Sequence, residues 1–68
     1  MSLKDKYQPV LELMDELGSQ NQKIWVDRGS LFIRAETQDE RSKNLILNKV
    51  MQVNKEKGWD IDIKLKVN

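Results

Sequence analysis

The nearest this sequence comes to reactive chemistry is two groups of carboxylates. Glu12, Asp15 and Glu16 fall within about one helical turn, and Asp60 and Asp62 alternate onto one side of an extended segment. Oxygen clusters of this kind hold hard cations, and paired carboxylates serve as acid and base in hydrolysis. Neither pattern is complete here. No calcium-loop spacing is present, and lysines close by can neutralise the charge. A solvated charged face is the better account, so no residue is assigned as catalytic, cofactor-binding or metal-binding. The chain has no histidine and no cysteine. That removes the commonest base at neutral pH, the commonest metal ligand and all thiol chemistry. The expectation is a non-enzymatic protein without a cofactor.

Recognition chemistry is better represented. Ile24-Trp25-Val26 and Leu31-Phe32-Ile33-Arg34-Ala35 flank the turn Asp27-Arg28-Gly29-Ser30. Gly29 supplies the positive φ that a tight hairpin needs. A two-residue Arg28-Gly29 loop then sets Val26 opposite Leu31, Trp25 opposite Phe32 and Ile24 opposite Ile33. Because side chains alternate, Ile24, Val26, Leu31, Ile33 and Ala35 share one side, and Trp25, Phe32 and Arg34 share the other. The first set supplies the hairpin's share of the core, which leaves the aromatics facing outward. One reading makes them a cross-strand pair that stabilises the hairpin by about 0.2–1 kcal/mol. The other makes Trp25 and Phe32 an interaction surface, with Arg34 at its rim, for a protein partner, a second copy or a lipid surface.

The remaining elements must hold that hairpin. Ser2-Leu3-Lys4-Asp5 has the form of a capping box, but Pro9 sits badly inside a helix that starts so early. The preferred reading is a loose turn over residues 2–7 and a firm helix from Gln8, with Pro9 in its first turn. Val10, Leu11, Met14 and Leu17 line one face of this helix, with Tyr7 just before them and Leu13 on the flank, and Gly18 ends it. A first strand is expected over residues 23–27. Thr37 and Glu40 form a second capping box, opening a helix over residues 38–55 with Ile46, Leu47, Val50 and Val53 facing inward. Gly58 ends it. A last strand alternates Trp59, Ile61, Ile63, Leu65 and Val67 against Asp60, Asp62, Lys64 and Lys66, which turns Trp59 toward the core. The result is an α+β fold, a single αββαβ domain over residues 1–68. Two helices pack on one face of a three-stranded sheet, and strand three runs parallel to strand two.

Composition narrows the function class. Twelve basic and eleven acidic residues give a net charge of +1, which is no footprint for nucleic acid. A KH-type RNA domain needs a Gly-x-x-Gly loop between helices, and none is present. Lys64 and Lys66, interrupted by Asp60 and Asp62, read as solubility and edge protection. Residues 1–7 carry no apolar run of the signal-peptide kind, and no stretch reaches transmembrane length. The expected location is cytoplasmic.

The order of elements and several short segments resemble the BON family (bacterial OsmY and nodulation domain). The resemblance is closest to the BON-like domain at the front of small bacterial BON–LysM proteins. It rests on the hairpin from Ile24 to Ile33, on Lys6-Tyr7-Gln8-Pro9-Val10-Leu11-Glu12-Leu13, on Ala35-Glu36-Thr37-Gln38, on Lys43-Asn44-Leu45 with Lys49-Val50, and on Asp60-Ile61-Asp62-Ile63-Lys64-Leu65-Lys66-Val67. It implies the αββαβ fold and a non-enzymatic binding or accessory module in a bacterial protein. Its ligand by this analogy is a monovalent cation, potassium, or a protein partner, with a self-associating homodimer as the alternative. Two departures stand out. Arg34-Ala35 occupies the place where the strand after the turn usually ends in glycine. No LysM module occurs in these residues, so binding of peptidoglycan or chitin is not implied.

Overall fold

Pro9 decides how the chain begins. In a continuous helix, residue 9 would donate to the carbonyl of Asp5, and the proline ring instead presses on that carbonyl. The computed structural model, which describes residues 2–68, resolves this conflict by breaking the helix. Helix α1 spans Leu3–Lys6, Tyr7 steps out of helical geometry at φ −100° and ψ 18°, and α2 spans Gln8–Glu16 with Pro9 in its first turn. Residues 2–7 are therefore not the loose turn expected of them. The Ser2 side chain accepts from the Asp5 amide, and this cap holds a short helix that propensity alone would not keep. Helix α2 ends as Gly18 predicts. Gly18 has φ +70°, its amide bonds the Asp15 carbonyl, and the Ser19 amide bonds that of Met14. These are the two bonds of a Schellman termination.

Strands β1 (Gln20–Asp27) and β2 (Ser30–Thr37) form an antiparallel hairpin with Val26 opposite Leu31, Trp25 opposite Phe32 and Ile24 opposite Ile33. Arg28 and Gly29 both take positive φ, 51° and 79°, as a type I′ turn requires. Strand β1 begins three residues earlier than expected. A register shift between Gln20 and Lys23, with Asn21 at φ 53°, lets it do so. Helix α3 (Glu40–Lys57) returns the chain to β3 (Ile61–Val67), which pairs parallel to β2, so the strand order is β1-β2-β3.

Two boundaries differ from the sequence reading. Thr37 does not cap α3. It is the last residue of β2, opposite Val67, and its carbonyl accepts from the Asn68 amide. Pairing with β3 holds the chain in the sheet past the first cap candidate, so Asp39 becomes the cap, accepting the Ser42 amide at 2.7 Å. That hydrogen bond from the Ser42 amide is the main reason the Asp39 carboxyl lies below its ordinary value. Trp59, expected in the core, is 72% exposed. Alternation starts only at Ile61, because Gly58 at φ +92° and the anchored Asp60 form a connection rather than a strand.

The core lies between the sheet and the helices. Tyr7, Val10 and Met14 meet Leu31, Ile33 and Ala35 of β2 and Ile46, Val50 and Val53 of α3, with Ile61 completing the layer. Leu47 is only half-buried. Val26 shares the core face of the hairpin but is exposed.

Tyr7 ties three elements together. Its ring is fully buried. Its hydroxyl donates to Asn54 Oδ1 on α3 and accepts the Asp60 amide at 3.0 Å. Beside it Lys6 Nζ bonds Asp60 Oδ2 at 2.7 Å and lies 5.3 Å from the Tyr7 ring centroid. The hydrogen bond to Asp60 raises the Lys6 pKa above its ordinary 10.5, against the opposing effect of burial. Tyr7→Phe keeps the packing but leaves a buried acceptor and a backbone donor unpaired, so the urea midpoint should fall by an amount equivalent to about 1–3 kcal/mol. An unchanged midpoint would show that the network contributes nothing. The raised Lys6 pKa adds stability that is fully present below 10.5 and is lost as pH rises through the higher folded value. As pH rises above 10.5 the wild type should therefore lose more stability than Lys6→Met. Parallel titration curves would contradict that linkage.

Candidate functional site

The helices cover one face of the sheet and leave the other open. Because pairing is in register across all three strands from Lys23 onward, the open face is organised in rows. Trp25, Phe32 and Asp62 form one row, and Lys23, Arg34 and Lys64 form the next. Glu36 and Lys66 stand opposite each other beyond it.

The aromatic row holds the geometry expected of the hairpin. Trp25 and Phe32 are stacked, with ring centroids 5.4 Å apart and planes 10° from parallel. Trp25 remains 41% exposed. Arg34 leans over both rings, its guanidinium carbon 5.5 Å from the Trp25 centroid and 5.9 Å from that of Phe32. It is held there from below. Arg34 Nη1 donates to the Ile33 carbonyl at 2.9 Å, to the Asp62 carbonyl at 3.1 Å and to Asp62 Oδ1 at 3.2 Å. The structure thus brings Trp25, Phe32 and Arg34 into one group. Arg34 is a fixed bracket across β2 and β3 rather than a free side chain at a rim.

Beside this group lies a groove of about 360 Å³, bordered by Asn21, Lys23, Arg34, Glu36, Lys64 and Lys66. Asn21 bonds the Glu36 carboxylate. Among the described residues the ion pairs are Lys6–Asp60 and Arg34–Asp62, so Lys23, Lys64 and Lys66 have no carboxylate partner. From the sequence, Lys64 and Lys66 read as solubility and edge protection, and Lys23 has no role. Extending the hairpin pairing by one step would have set Lys23 beside Arg34. Placing Lys64 in the same row needed the parallel register, which no local signal encodes.

The carboxylates do not converge. Glu12, Asp15 and Glu16 are exposed along α2, while Asp60 serves Lys6 and Asp62 serves Arg34. Among the described residues no cluster of metal-ligating side chains is present, and no helix is long and apolar enough to cross a membrane. A second groove of about 560 Å³ lies on the other side of the molecule, between Met51, Asn54 and Lys55 of α3 and the exposed Trp59. It was not expected, because Trp59 was assigned to the core.

No protein-family model, no curated protein and no solved structure matches the chain. The site is therefore read from its own geometry. A double-mutant cycle with Trp25→Ala and Phe32→Ala should give a coupling of about 0.5–1.5 kcal/mol for the stacked pair. Additive losses would mean that the rings do not stack in solution.

Proposed function

We propose that this chain is a non-enzymatic binding module of the BON type, whose contact surface is the open face of its sheet. The supporting observation is the Trp25–Phe32 stack, fixed by Arg34 and covered by nothing. Arginine and large aromatics are the residues that dominate binding energy at protein contacts. Here their side chains are held by neighbours, so little rotamer entropy remains to be lost on binding. A protein partner is the occupant this chemistry suits best. Self-association through the same face is the second reading, because a homodimer would cover both aromatics at once.

Sedimentation of the wild type and of Trp25→Ala/Phe32→Ala over a wide concentration range separates these readings. A wild-type dimer lost in the variant establishes self-association. A monomer at every concentration removes it and leaves a different protein. A partner held equally well by the double variant would overturn the surface altogether.

Potassium binding, implied by the family resemblance, has a separate test. Selective binding to the folded state must raise the thermal midpoint in KCl over matched NaCl. Equal midpoints in the two salts, up to high concentration, would remove the cation.

A further inference from the structure

The row next to the aromatics sets three cations side by side. Lys23 of β1 stands opposite Arg34 of β2, and Arg34 stands opposite Lys64 of β3. Like charges directly opposite each other across strands are destabilising. The protein relieves only the middle position, where Arg34 turns away to Asp62 and to the Trp25 and Phe32 rings. Lys23 and Lys64 border the groove, with Lys66 one row further along. One carboxylate, Glu36, also borders the groove, where it accepts a hydrogen bond from Asn21. The sheet thus holds a groove with more cations than carboxylates on its border, directly against an exposed aromatic pair.

We infer that this pocket binds an acidic peptide segment of a partner protein, with its carboxylates on Lys23, Lys64 and Lys66 and an apolar side chain on Trp25 and Phe32. The inference rests on the open face being the contact surface and names the chemistry of what binds there. Charge complementarity selects the anion, and the aromatic row selects an occupant that also carries apolar side chains. A peptide fits better than a nucleic-acid strand. Asp62 and Glu36 break the cationic surface into a short stretch, and the chain as a whole carries only +1, so the face matches a few carboxylates rather than a continuous run of phosphates. The groove, at about 360 Å³, is at the small end of ligand sites and suits a few side chains.

The test uses Trp25 emission in a Trp59→Phe background, titrated at low salt with a short glutamate-rich peptide carrying one phenylalanine. The expected result is saturable binding that weakens as salt rises. Adding Lys23→Gln/Lys64→Gln should weaken it about ten-fold. Because the substitution removes like-charge repulsion, the thermal midpoint should stay level or rise, which a merely structural role for the lysines would not produce. No binding at low salt, binding unchanged by the lysine substitutions, or lost binding together with a lowered midpoint would each overturn the inference. So would tighter binding of an oligothymidylate of matched charge, or a homodimer that excludes the peptide. If a partner depends on Trp25 and Phe32 but is indifferent to the lysine substitutions, the acidic chemistry fails while the contact surface stands.

Discussion

The register of one hairpin governs everything else in this protein. Side chains alternate along a strand, so a slip by one residue would exchange the two faces. Trp25 and Lys23 would enter the core, and Ile24 and Val26 would take the open face. The turn prevents this. Arg28 and Gly29, both at positive φ, close a two-residue loop that sets Asp27 opposite Ser30 and so fixes each pair behind them. Gly29 takes this conformation without penalty. Arg28 takes it at a cost of roughly 1–2 kcal/mol, which the packing of Ile24 and Leu31 must offset. Strand β3 then extends the rows because it joins β2 in parallel register. The aromatic row and the cationic row are thus consequences of one turn and one crossover.

The same economy holds on the covered face. A chain of this length buries a limited share of its surface, and it has no disulfide to help. It uses polar anchoring instead. The broken helix α1–α2, forced by Pro9, is the element with least reason to stay in place. Tyr7 at the break fastens it to α3 through Asn54 and to the start of β3 through Asp60, and Lys6 adds an ion pair to the same aspartate. Asp60 therefore cannot join the strand alternation, and Trp59 before it is turned outward beside Met51. The exposure of Trp59 follows from the anchoring of its neighbour.

The fold was legible in this sequence wherever a local signal and a tertiary contact agreed. The hairpin register, the Gly18 ending, the helical stripe of Ile46, Val50 and Val53, and the parallel placement of β3 all follow from spacing that the packing reinforces. Legibility failed where a distant contact outweighed a local preference. Thr37 has the composition of a helix cap, yet pairing with Val67 keeps it in the sheet. Trp59 fits the alternation of β3, yet a bond from the Asp60 amide to the Tyr7 hydroxyl, fifty-three residues away in sequence, ends that alternation at Ile61. For the site, the aromatic pair was readable from hairpin pairing alone. The cationic row was not, because it joins residues of three strands, and its third member depends on a crossover whose register only the helix packing determines.

The central claim is that the turn places Trp25, Phe32 and the cationic row together on the uncovered face. Cross-strand contacts between α-protons report this directly, since they are strong only at non-hydrogen-bonded pairs, where the Cα atoms approach to about 4.5 Å. The account predicts strong contacts between Ile24 and Ile33 and between Val26 and Leu31, with none between Trp25 and Phe32, whose pair exchanges backbone hydrogen bonds. A strong α-proton contact between Trp25 and Leu31 or Ile33 would show a slipped hairpin and contradict the assignment of both faces.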